Sequence, residues 1–104
     1  MPKTLKEQQS IVRQSCAMSA IHAINQFVEF REFVAEANSK IIIQIATMFY
    51  NWVFNGWKDG DSADIIIVKQ STLKVAIESI KTDPAIKTSK DIITKAEELL
   101  KWIS

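Results

Sequence analysis

Few side chains in this chain of 104 residues could do covalent or acid–base chemistry. His22 is its one histidine and Cys16 its one cysteine. A lone imidazole can act as a base, but a His or Cys metal site needs further ligands of the same kind, and a disulfide needs a second thiol. His22 lies inside Ala20-Ile21-His22-Ala23-Ile24 and reads as a packed or partly exposed helix residue. Cys16 sits in an apolar stretch and reads as a small buried side chain. Carboxylates gather at Asp59, Asp61 and Asp64, beside Gly56 and Gly60. Their spacing suits a turn followed by a helix start, whereas a calcium loop needs more oxygen ligands and a closing glutamate. No phosphate-cradling glycine loop occurs. The expectation is a protein that is not an enzyme, with no catalytic residue, metal or cofactor.

Recognition chemistry has more to work with. Arg13-Gln14 and Lys69-Gln70 pair a cation with an amide, and Lys74 follows one helical turn later. Such residues can neutralise phosphates and hydrogen-bond bases. From Ile65 onward seven lysines stand against five acids. Direct binding of single-stranded DNA or RNA is therefore one possible function. Against it, the net charge of +1 sets up no strong field, and a solvated helix face has the same composition. Aromatics that could stack on bases lie mostly in the first half of the chain.

Association with protein is better supported. Ile41 to Trp57 runs seventeen residues without a charge, with Gln44, Thr47, Asn51 and Asn55 forming one polar stripe. The rest of that helix, Tyr50 and Trp57 included, is apolar on several sides, more than one small bundle is expected to cover. A protein partner, or a homodimer or higher homo-oligomer, would bury the remainder. Phe27, Phe30 and Phe33 make a second aromatic strip. A membrane span is not expected, since the run is short and carries four polar groups. The polar N-terminus lacks a signal-peptide core, which suggests the cytoplasm.

Two Gly and two Pro in the whole chain favour long helices over sheets joined by tight turns. Helix starts are marked by Thr4/Glu7, Asn38-Ser39, Asp61/Asp64 and Thr88/Asp91, and stops by Gly56, Gly60 and Asp83-Pro84. Four helices are predicted, at about 5–36, 39–55, 62–82 and 89–103. The β-prone run Ile65-Ile66-Ile67-Val68 falls inside the third, because the pattern after it is helical.

The two halves repeat. Ile11-Val12-Arg13-Gln14-Ser15 matches Ile67-Val68-Lys69-Gln70-Ser71, and Ala20-Ile21 matches Ala76-Ile77, at an offset of 56 residues. Ile42-Ile43 matches Ile92-Ile93, Ala46 matches Ala96 and Trp52-Val53 matches Trp102-Ile103, at an offset of 50. Copy one thus carries six more residues between its helices. The expected architecture is all-α: one four-helix bundle-like domain over 1–104, built from tandem helical hairpins (repeats about 9–55 and 65–104) with pseudo-two-fold symmetry.

This pattern resembles that of small uncharacterised proteins of bacteriophages and prophages. Those have an Arg-Gln-Ser-Ala-Leu-Lys-Ala-Ala-like first helix and a second helix ending in Trp-Ile or Trp-Val. Lys69-Gln70-Ser71-Thr72-Leu73-Lys74-Val75-Ala76, then Ala96, Leu99, Trp102 and Ile103, match it. So do Arg13-Gln14-Ser15, Ala20, Ala46, Phe49, Trp52 and Val53. Met18 departs from it, standing where the pattern has Lys. The resemblance implies an accessory role beside phage replication or recombination. The expected function is a non-enzymatic accessory factor engaging a protein partner in DNA metabolism or host takeover. Its surface would be drawn from Arg13, Gln14, Lys69, Gln70, Lys74, Phe30, Phe33, Tyr50 and Trp57.

Overall fold

Short polar side chains start the helices largely where their spacing predicts. The computed structural model describes residues 5–31, 38–58 and 60–103. Among these, four α-helices form: α1 Leu5–Arg31, α2 Ser39–Phe54, α3 Asp64–Glu78 and α4 Ser89–Ile103, with a 3-10 turn, Ser79–Lys81, extending α3. Asn38 caps α2 by accepting the Ile41 amide at 3.0 Å. Thr88 and Asp91 make the reciprocal box at the start of α4. The Asp91 amide donates to Thr88 Oγ1 at 3.2 Å, and the Thr88 amide to Asp91 Oδ2 at 3.0 Å. Thr4 of the first box, and the segment 32–36 that would complete the predicted first helix, lie outside the described residues.

The third start differs from expectation. Asp61 turns back to accept the Lys58 amide at 2.9 Å, and Ser62 Oγ accepts the Asp64 amide at 3.2 Å. Asp61 therefore shapes the loop and caps nothing. Gly56 ends α2 with φ +80, a left-handed conformation that a side chain would strain.

α1 packs with α2 and α3 with α4, so two hairpins build the bundle, and α1 crosses α3 at the centre. The core is one cluster drawn from all four helices. Val12, Cys16, Ala20, Ala23 and Phe27 come from α1, and Phe49, Trp52 and Val53 from α2. Ile66, Leu73, Ala76 and Ile77 come from α3, and Ile92 and Ala96 from α4.

The repeat is legible in space for the first helices. Cys16 and Thr72, Ala20 and Ala76, and Ile24 and Ile80 are all buried, and each pair is separated by the 56-residue offset. His22 Nε2 meets Glu78 Oε1 at 2.6 Å, and these too are 56 apart. Equivalent residues of a two-fold pair touch only where the axis passes, so the pseudo-dyad runs by this pair.

The second helices break the symmetry. Trp52 is buried whereas Trp102, its sequence mate, is 85% exposed. α2 buries its C-terminal half (Phe49, Trp52, Val53) and α4 its N-terminal half (Ile92, Ala96). The cause is arm length: seventeen residues separate His22 from the start of α2, but eleven separate Glu78 from the start of α4. A longer outward arm means that a later part of the returning helix lies opposite the dyad. Sequence equivalence of the tryptophans is therefore not spatial equivalence.

Candidate interaction surface

Matched in sequence, Arg13 and Lys69 are put to different uses. Lys69 is only 9% exposed. Its Nζ donates to the carbonyls of Trp52 and Asn55, both at 3.1 Å, and lies 5.2 Å from the Trp52 ring centre. It thus satisfies the Asn55 carbonyl, adds a second donor to the Trp52 carbonyl that already accepts the Asn55 amide, and faces the negative end of the α2 dipole. Burial pushes its ammonium below the ordinary lysine value, while Glu97 pulls it back up. Glu97 also accepts the Trp52 indole N–H at 2.5 Å, tying α4 to α2. Lys69 is thereby withdrawn from any phosphate-binding face, which corrects the expectation for that residue. Arg13 stays exposed, its guanidinium 5.0 Å from the centre of the Tyr50 ring in its own hairpin.

The uncharged run is largely consumed inside the chain, which leaves a smaller remainder for a partner than its composition suggests. Phe49, Trp52 and Val53 are buried, and Ile42, Ile45, Ala46, Tyr50, Phe54 and Trp57 pack against the core. Trp57 folds edge-on to Phe54, with ring centres 5.7 Å apart, and donates to the Ser62 carbonyl at 3.1 Å, so it closes a loop. Tyr50 also stacks on Phe54 at 4.9 Å. Ile43 and Met48 are what α2 leaves exposed of its large apolar side chains. Phe27 is buried and Phe30 partly exposed, and Phe33 lies outside the described residues.

Two open grooves run along α1. One, of about 500 Å³, lies between α1 and α2 and includes Arg13, Ala17, Ile43, Thr47, Tyr50 and Asn51. The other, of similar volume, lies between α1 and α3 and includes Ser15, Met18, His22, Lys74, Ile77 and Glu78. Arg13 and Tyr50 therefore share one groove and Lys74 lines the other. Gln14 is exposed on α1, and Gln70 is half-buried on α3.

The polar end of the second groove is a small ion-pair cluster. Glu78 is shared by Lys81, at 3.0 Å, and His22, and these two bonds hold its carboxyl below the ordinary glutamate value. Every partner is half exposed, and the His22–Glu78 bond joins the hairpins while Lys81–Glu78 stays within the second. Ser15 and Ser19 line the same groove, and the partners of His22 among the described residues are Glu78 and, at 3.5 Å, Gln26. No three His, Cys, Asp or Glu side chains gather into a metal site among the described residues. Burial pushes the Cys16 thiol up to about 11, leaving it protonated and unreactive at neutral pH.

Sequence reasoning missed Arg31. Its Nε donates to the Ile86 carbonyl at 2.9 Å, and its Nη2 to those of Ile80 at 2.7 Å and Asp83 at 2.6 Å. One planar guanidinium thus pins the end of α1 to the α3–α4 connection. A compositional signal was present: the chain has two arginines against eleven lysines, and Arg31 takes a position that one ammonium could not fill equally well.

No helix among the described residues is long and apolar enough to cross a membrane. Compared with protein-family models, curated proteins and solved structures, the chain matches none of them.

Proposed function

We propose that this protein works by binding and not by catalysis, as an accessory factor of the phage or prophage type that engages a protein partner in DNA metabolism or host takeover. The observation that carries this reading is the division of labour among its polar groups. Lys69, Arg31 and Glu78 are spent on holding the hairpins together and Asp83 on bracing the second hairpin through Lys95, while apolar side chains border both grooves along α1. The groove between α1 and α2 supports the reading best, because Ile43 offers an exposed apolar contact beside Arg13 and Tyr50. Aromatic and arginine side chains at a groove edge are the usual anchors of a protein interface. The Arg-Gln-Ser and Trp-Val resemblance supports the accessory role.

Affinity capture with the intact chain, run beside Ile43→Asp, tests this. A partner retained by the parent chain and lost with Ile43→Asp is the expected result. Fluorescence anisotropy with short single-stranded oligonucleotides at about 50 mM salt tests the nucleic-acid reading, in which binding must weaken steeply as salt rises. Binding of that kind, abolished by removing Lys74, would overturn the proposal.

A further inference from the structure

The face of α1 turned away from the core is not built for water. Ile11, Gln14, Met18, Ile21, Asn25 and Val28 are all exposed, Met18 at 68%. They follow the alternating three-and-four spacing of heptad a and d positions, which brings them onto one stripe. The stripe lies opposite the buried stripe of Val12, Cys16, Ala20, Ala23 and Phe27. From Gln14 to Val28 there are fifteen residues without an Asp, Glu, Lys or Arg. A solvated helix face normally carries charges. α3 shows the contrast, since Lys74 and Lys81 stand at the positions equivalent to Met18 and Asn25.

We propose that this ridge of α1 pairs with the same ridge of a second copy of the chain. The inference rests on the reading of the protein as a binding module and names one of its partners. Three observations choose a second copy as the occupant. First, the stripe is self-complementary: read in either direction it runs apolar, amide, apolar, apolar, amide, apolar. A two-fold pairing therefore sets amide against amide and apolar against apolar in every layer. Second, lone amides in an otherwise apolar seam are the device that sets register and holds a coiled coil at two strands. Third, the ridge is long enough for a dimer seam: it spans about 26 Å of helix, and the shoulders of both grooves widen it.

The test is sedimentation equilibrium of the intact chain over about 5 to 500 μM, where mass action must raise the average mass toward that of a dimer. Met18→Lys recreates on α1 the residue that α3 already carries in the equivalent place, so folding is expected to persist, as checked by far-UV circular dichroism. It should weaken association at least tenfold, which is about 1.4 kcal/mol. Asn25→Ile, which leaves Gln14 of the second copy facing an apolar side chain, should weaken association as well. Val75→Lys, an equally exposed substitution on α3, should leave it unchanged. A parent chain that stays monomeric at the highest concentration overturns the proposal, as does a folded Met18→Lys that still dimerises like the parent. Capture of a partner through Ile43 is read separately, so the dimer can fail while the binding function stands, and the reverse.

Discussion

Removing the Arg31 fork should be the most damaging single change outside the apolar core. The guanidinium makes three hydrogen bonds into the second hairpin, at 2.9, 2.7 and 2.6 Å, and a fourth to the Phe30 carbonyl of its own helix at 2.9 Å. Hydrogen bonds from a charged donor contribute about 1.5–3 kcal/mol each when buried, and these are partly solvated, so about 1 kcal/mol each is a fair value. Arg31→Met, which keeps the stem but removes every donor, is then expected to cost about 3 kcal/mol. That is a large share of the ~5–15 kcal/mol typical of a whole domain. At 4–8 °C per kcal/mol for a chain of this size, Tm should fall by about 12–24 °C. Arg31→Lys should recover only a part, because one compact ammonium cannot span three carbonyls. The assay is thermal unfolding followed at 222 nm, repeated at about 0.5 M salt. The acceptors are carbonyls and not carboxylates, so the loss should barely change with salt. A fall in Tm under about 4 °C for Arg31→Met, or a loss that vanishes in salt, would refute the reasoning.

Other outcomes follow from the same geometry. Asp83 is held below its ordinary value first by its bond to Lys95, at 2.6 Å, and Asp91 first by the Lys87 amide, at 2.9 Å; Glu78 is lowered as well. A lowered carboxyl stabilises the fold above its unfolded pKa and loses that contribution as pH falls through its folded one. Tm should thus be flat near neutrality and drop below about pH 4, and a Tm unchanged down to pH 2 would contradict this. Lys69→Ala should destabilise the fold by about 1–3 kcal/mol in urea unfolding by leaving the Asn55 carbonyl unmet and taking the second donor from that of Trp52, whereas an exposed lysine such as Lys74 should be replaceable at little cost. Cys16 should resist a thiol reagent in the native protein and react on unfolding. Acrylamide should quench Trp102 freely while sparing Trp52, so Trp102→Phe should remove most of the quenchable emission.

Much of the local structure was legible beforehand because its causes are local. Asn38, Thr88 and Asp91 stand beside the amides they cap, and an apolar stripe at helical spacing declares a buried face wherever the helix ends up. The third helix was readable from its apolar stripe, although Ala63 stands at its N-cap without a side-chain cap bond, and Ser62 rather than Asp61 accepts the Asp64 amide. The repeat too was visible as residues, since Ile11-Val12/Ile67-Val68 and Ala20-Ile21/Ala76-Ile77 keep a constant spacing.

What the sequence determined, then, was an all-α chain of two hairpins and the capped starts of its second and fourth helices. Tertiary structure decided which of two matched cations is buried, which of two matched tryptophans reaches the core, and where the apolar surplus ends up. Those outcomes depend on how far each arm runs before it returns past the dyad, and six extra residues in copy one shift that return by more than a turn. A helix face is also apolar in the same letters whether it faces a core or solvent. Only packing shows that α2 spends its uncharged run inside the molecule while α1 carries a second uncharged face outward.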